Sequence, residues 1–121
     1  MPKKQADKAP HQLSAAALDL IASRFRSLAE PMRLRILNLL MQEECTVGDL
    51  VKLTGSSQAN ISKHLGLLRE AGMVGTRKEG LSSRCFIADP IVRELCTMMC
   101  SRLREEMESK ANEFRSFDPE I

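Results

Sequence analysis

Residues 56–72, Ser-Ser-Gln-Ala-Asn-Ile-Ser-Lys-His-Leu-Gly-Leu-Leu-Arg-Glu-Ala-Gly, constrain the fold more than any other stretch. Apolar side chains at Ile61, Leu65 and Leu68 recur at helical spacing. Ser56 or Ser57 offers an N-cap hydroxyl. Gly72 accepts the left-handed backbone that often follows a helix, so both ends are marked. The first half of this helix carries different chemistry, with hydroxyl, amide and cationic groups at Ser57, Gln58, Asn60, Ser62, Lys63 and His64. One end suits a core; the other offers hydrogen-bonding groups outward, with His64 on the fringe of the exposed face. Such a helix suits a DNA major groove, where each base pair presents a distinct donor and acceptor pattern.

The flanking segments build a domain around it. Leu13, Ala17, Leu20, Ile21, Phe25 and Leu28 predict a first helix. Pro31 opens a second, with Met32, Ile36, Leu37 and Leu40 inward, behind Glu30, a weaker cap than Asp or Ser. Thr46 caps a short third helix, Val47 to Thr54, which Gly55 ends. Two helices joined by a short glycine-containing turn are a helix-turn-helix. After Gly72 the pattern changes to strands over 73–78 and 83–88 around a turn at 79–82, a hairpin or "wing". Asp89-Pro90 then starts a long fifth helix whose stripe runs Ile91, Leu95, Met99, Leu103, Met107, Ala111, Phe114. So short a chain cannot cover that stripe alone, and long uncovered stripes usually find a partner.

The expected fold is therefore mainly α: a winged helix-turn-helix of five helices with the hairpin between the fourth and fifth, dimeric through the first and last helices. The expected boundaries are a disordered N-terminal tail at 1–12, the DNA-binding and dimerisation domain at 13–117 and a C-terminal tail at 118–121. Lys3, Lys4 and Lys8 read as part of a solvated tail.

Composition narrows the function. At 121 residues the chain is one domain with tails. Four Phe with no Tyr or Trp leave few platforms for stacking single-stranded bases. A net charge of +2 means that DNA affinity has to come from a local patch. No apolar run reaches the length of about 18 residues that a membrane helix needs. The N-terminal lysines are not followed by the apolar segment of a secretory signal. The four cysteines lack short paired spacings, so they read as reduced thiols in a cytoplasmic protein.

Several motifs then fall in order. Leu28-Ala29-Glu30-Pro31-Met32-Arg33-Leu34-Arg35-Ile36-Leu37 resembles the Leu-Ala-Asp-Pro-x-Arg-Leu-x-Ile-Leu signature of ArsR/SmtB winged-helix repressors. Ser57-Gln58-Ala59-Asn60-Ile61-Ser62-Lys63-His64-Leu65 resembles their recognition helix, Leu68-Arg69-Glu70-Ala71-Gly72-Met73-Val74 its exit, and Arg77-Lys78-Glu79-Gly80 the wing entry. The resemblance covers about residues 13 to 103. It implies a homodimer that represses at double-stranded operator DNA until an effector releases it.

On that reading Gln58 and Asn60 each offer a bidentate amide to an adenine edge. Ser56, Ser57 and Ser62 suit base or phosphate, and Lys63 suits phosphate or guanine. His64 is expected to donate to phosphate or to anchor the helix. Arg77, Lys78 and Arg84 suit phosphate or the minor groove, or else a plainly solvated hairpin. Two-fold symmetry predicts an inverted-repeat operator.

The input is harder to read. The resemblance implies three known patterns, and none is complete. Thr46 and Gly48 stand where some members carry Cys-x-Cys. The last helix has no histidine for a zinc site of Asp, His and Glu. Asn38 occupies the usual second-helix cysteine position. What remains is Cys96 and Cys100, i and i+4 on one helical face, with Cβ atoms about 5–6 Å apart. Two thiolates there suit As(III), Cd(II) or Zn(II), with a third donor from Cys45, Cys85 or a second subunit. The alternative, a repressor or interaction module without thiol input, leaves the cysteines as small packing groups. Cys85 on a wing strand reads as structural. A small thiol enzyme is disfavoured, since no Cys-x-x-Cys and no nucleophile elbow is present.

Overall fold

The computed structural model describes residues 12–116. The tail expected at 1–12 lies outside these residues apart from Gln12, and the one at 118–121 lies wholly outside. Helix α1, Ala15–Leu28, begins where the Ser14 hydroxyl accepts from the Ala17 N–H. Helix α2, Pro31–Gln42, starts with proline at its first turn. Glu30 caps it: its carboxylate accepts from the Arg33 N–H at 2.9 Å. Extended backbone at this position lets a longer side chain do the work of Asp.

Strand β1, Cys45–Thr46, leads directly into α3, Val47–Thr54. Thr46 and Asp49 form a reciprocal capping box, each side chain accepting from the other's backbone N–H. Gly55 ends α3 with φ +74°, a conformation that costs glycine no steric penalty. Helix α4, Gln58–Glu70, follows, capped by the Ser57 hydroxyl, which accepts from the Asn60 N–H at 3.1 Å.

Strands β2, Val74–Glu79, and β3, Ser82–Ile87, form the hairpin. The expected four-residue turn is tighter: only Gly80 and Leu81 lie between the strands, and Gly80 takes φ +62°. Glycine at the first central position is what a two-residue II′ loop requires. The strand order is β1-β3-β2, all antiparallel, so the two-residue β1 joins the helix-turn-helix to the wing. Phe86 lies over its cross-strand partner Gly75, where a Cβ would sit 2.6 Å from the ring.

The core gathers Ile36, Leu37 and Leu40 of α2, Leu50 of α3, and Ile61, Leu65 and Leu68 of α4, with Cys45, Met73, Val74, Cys85 and Val92. Met32 packs at its edge. Helix α5, Pro90–Ser116, runs 27 residues. Only its first turns are covered: Val92 is buried and Leu95 and Cys96 are half-buried, while every side chain from Thr97 to Arg115 is exposed. No residue of α1 is buried either. Among the described residues no helix is long and apolar enough to cross a membrane.

Candidate nucleic-acid interface

The turn before α4 is held from behind. Arg35 donates to the carbonyls of Thr54 and Leu53 at 3.1 and 3.2 Å, binding the otherwise open end of α3. The Thr54 hydroxyl donates to Leu50 O and accepts from the Ser56 N–H. The direction in which α4 leaves the turn is thus fixed by backbone contacts.

On α4 the two faces separate cleanly. Ile61, His64, Leu65 and Leu68 are buried. Gln58, Ala59, Ser62 and Lys63 are exposed on the opposite side. Gln58, Ser62 and Lys63 make no side-chain hydrogen bond among the described residues. The Ser57 hydroxyl oxygen accepts the cap bond and keeps its own proton to donate. Asn60 is half-buried, and its amide donates to the Ser56 hydroxyl at 2.9 Å. One amide hydrogen and the carbonyl oxygen of Asn60 remain, so a bidentate contact survives with its orientation preset. Ala59 was not singled out from the sequence. The 3.6-residue period places it beside Gln58 and Ser62, and a small apolar side chain there suits a thymine methyl.

His64 departs from the expected fringe position. It is only 6% exposed. Its Nδ1 lies 3.2 Å from Arg33 Nη1 and 3.9 Å from Glu30 Oε2. A guanidinium can only donate, so a hydrogen bond between the two requires Nδ1 to be the acceptor. The Glu30 carboxylate is then a neighbouring charge rather than a hydrogen-bond partner. The Arg33 backbone N–H holds the Glu30 carboxyl below its usual range against the opposing effect of desolvation. Of the two roles expected for His64, burial and the Arg33 bond support anchoring, not phosphate contact.

The two wing arginines are already engaged. Arg77 pairs with the Glu44 carboxylate, reaches Glu79 at 3.4 Å and lies 5.5 Å over the Phe86 ring. Hydrogen bonding to Glu44 pushes its guanidinium further toward the charged form. Arg84 donates to Glu79 at 3.1 Å and to the Glu44 carbonyl at 3.4 Å. Arg77 and Arg84 face each other across the strands, and the two carboxylates offset that repulsion. Lys78 is exposed and makes no bond among the described residues.

The cysteines split into two groups. Cys45 and Cys85 are direct partners across β1 and β3, and both are buried. Burial pushes both thiols up, with Asp49 and Glu43 adding to the effect at Cys45. Cys96 and Cys100 line an apolar groove of about 940 Å³ between α2 and α5, with Leu34, Asn38, Met41, Met99 and Leu103. Burial also raises the Cys96 thiol, while Cys100 is exposed, 3.8 Å from an Arg104 guanidinium nitrogen. Among the described residues no group of three His, Cys, Asp or Glu is placed to hold a metal ion. The expected third donor, Cys45, is committed to the sheet. Among the described residues of one chain, then, the donor set does not fit As(III), Cd(II) or Zn(II).

A helix braced across a glycine turn, a second helix with a free polar outer face and an adjoining hairpin define a winged helix-turn-helix DNA-binding protein. The comparisons agree. Residues 30–76 match the family described as "Bacterial regulatory protein, arsR family". An HTH-type transcriptional regulator of Mycobacterium tuberculosis is 42% identical over 77 residues, 63% of this chain and 68% of that one. The crystal structure of the Mycobacterium tuberculosis protein Rv0081 superposes with a TM-score of 0.73 at 34% identity, covering 81% of this chain and 99% of that one. A probable mercury resistance operon repressor of Streptomyces lividans is 38% identical over 77 residues, 64% of this chain and 62% of that one. A homodimeric winged helix-turn-helix DNA-binding domain from Mycobacterium bovis, solved by NMR, gives a TM-score of 0.73 at 32% identity over 86% of this chain and 94% of that one. The chain belongs to the arsR family of bacterial regulatory proteins. It is a transcriptional regulator of the DNA-binding winged helix-turn-helix class.

Proposed function

We propose that residues 13–117 form a homodimer that represses by seating two copies of α4 in successive major grooves of an inverted-repeat operator. The observation that carries this reading is the free outer face of α4: Gln58, Ser62 and Lys63 exposed and unbonded, on a helix whose rear is sealed in the core. Gln58 and Asn60 read base edges, and Ser56, Ser57, Ser62 and Lys63 set register on base or phosphate. Lys78 meets the backbone, and Arg77 and Arg84 do so after exchanging their carboxylates for phosphate. The uncovered apolar sides of α1 and α5 support pairing of two chains, as in the homodimeric relative. Two-fold symmetry then sets the half-sites about one DNA turn apart, or a multiple of it.

Selection from a random duplex library tests this. The expected product is a two-fold symmetric sequence bound by two chains, with affinity falling steeply as salt rises. Enrichment of nothing, or of a lone half-site bound by one chain, contradicts it.

We place the input at Cys96 and Cys100. Both face the α2–α5 groove, and one relative's name refers to mercury, a thiol-seeking ion. With no third donor placed beside them among the described residues, we assign it to the second copy. Release of the selected duplex by As(III), Zn(II), Hg(II) or a persulfide donor, lost in Cys96→Ser/Cys100→Ser, supports the assignment. Equal release from both proteins leaves the cysteines as packing groups.

A further inference from the structure

Arg33 does not face the DNA side of α4, yet each of its three guanidinium nitrogens is engaged. Nε donates to Ser27 O at 2.6 Å and Nη2 to Arg26 O at 3.2 Å. Both carbonyls belong to the last turn of α1, at the negative end of its dipole; Arg26 O also accepts from the Ala29 N–H at 3.2 Å. The remaining nitrogen, Nη1, reaches His64 Nδ1 at 3.2 Å. His64 lies in the middle of α4, one residue beyond Lys63 and two beyond Ser62, on the buried side. One side chain of α2 therefore holds the end of α1 and the rear of α4 together. Glu30 steadies it by accepting from the Arg33 backbone N–H.

We infer that Arg33 is a positioning residue for DNA recognition: its guanidinium ties the C-terminal carbonyls of α1 to Nδ1 of His64 and so fixes how α4 is seated. The inference rests on the reading that α4 enters the groove and α1 belongs to the dimer surface. It goes further by naming the link between them. A planar fork with several donors in fixed directions is needed to serve two carbonyls and an imidazole at once. A lysine, with a single nitrogen on a flexible stem, cannot reproduce that geometry. The bond requires an accepting Nδ1, which puts the ring proton on Nε2. Loss of Arg33 leaves Nδ1 facing a site without its donor and removes the side-chain link from α4 to the last turn of α1, so the seating of α4 loosens without any DNA-contacting group being removed.

The test uses the full chain and the duplex that wild type selects. Ring nitrogen shifts are measured by NMR in a His11→Gln background, which leaves His64 as the only histidine. The expected result in free protein at neutral pH is a single neutral tautomer with Nδ1 unprotonated. In Arg33→Ala and Arg33→Lys the tautomers mix, and affinity for the selected duplex falls on the order of 10- to 100-fold, the range of a hydrogen bond to a charged group. His64→Asn places an amide oxygen near the Nδ1 position and keeps most of the affinity, whereas His64→Leu loses it. Combining Arg33→Ala with His64→Leu costs little beyond either change alone, as two ends of one contact should. Full affinity in Arg33→Ala, or a wild-type His64 with its proton on Nδ1, overturns the inference. So does equal loss in His64→Asn and His64→Leu, which reports packing alone. Failure of Arg33→Ala to fold leaves the wild-type tautomer and the Asn–Leu comparison to decide. Wild type that selects no duplex refutes the DNA-reading of α4 itself, a distinct outcome.

Discussion

On α4, Gln58, Ser62 and Lys63 are exposed and hold no partner, while on the wing Arg77 and Arg84 already hold Glu44 and Glu79. A free group loses only water when it meets DNA. A paired cation loses a carboxylate as well, so its net gain is smaller. Exposure thus says little about how much a polar residue contributes; its partners in the free protein matter as much. The reading helix is preset for specific contact, and the wing holds an exchangeable reserve of charge.

Substitutions can sharpen or break this contrast. The largest effect is expected behind the reading face. Ile61→Ala removes a fully buried side chain beneath it and should cost about 2–5 kcal/mol of stability, read by denaturant unfolding. On the outer face, Gln58→Ala or Lys63→Ala should leave stability unchanged and cost about 1–3 kcal/mol in binding to the selected duplex. A lost base contact should also relax preference at one position of the selected sequence. Arg77→Ala should cost at most about 1 kcal/mol, because the ion pair it gives up is exposed. Its mark is a smaller salt slope, equal on all sequences. Glu44→Gln should act in the opposite direction: Arg77 is freed, and binding to non-selected duplexes tightens slightly. A large specific loss in Arg77→Ala, or no change in Lys63→Ala, reverses the contrast. A separate check concerns the cysteines. Alkylation should reach exposed Cys100 first, Cys96 later and the buried Cys45 and Cys85 last, as mass spectrometry can follow.

Local signals made much of this legible from residue order. Thr46 and Gly55 bound α3, and Ser57 and Gly72 bound α4, because caps act within a few residues. The outward set on α4 followed from the helical period. Long-range pairings were not visible. Glu44 is 33 residues from Arg77, and Arg33 is 31 from His64. Strand β1 has two residues, too few to show alternation, so the Cys45–Cys85 register was hidden with it. His64 was misplaced for a different reason. Its position, three after Ile61 and one before Leu65, lies on the apolar stripe, and its polar ring drew it toward solvent until Arg33 supplied a partner inside.

The central claim, that the outer face of α4 meets duplex DNA, is tested most directly by NMR of the isotope-labelled chain titrated with its selected duplex. The largest shifts should fall on the Gln58 side-chain amide and on Ser62 and Lys63, with smaller ones on the wing and little along α5. Shifts concentrated on α5 while Gln58, Ser62 and Lys63 stay still contradict it.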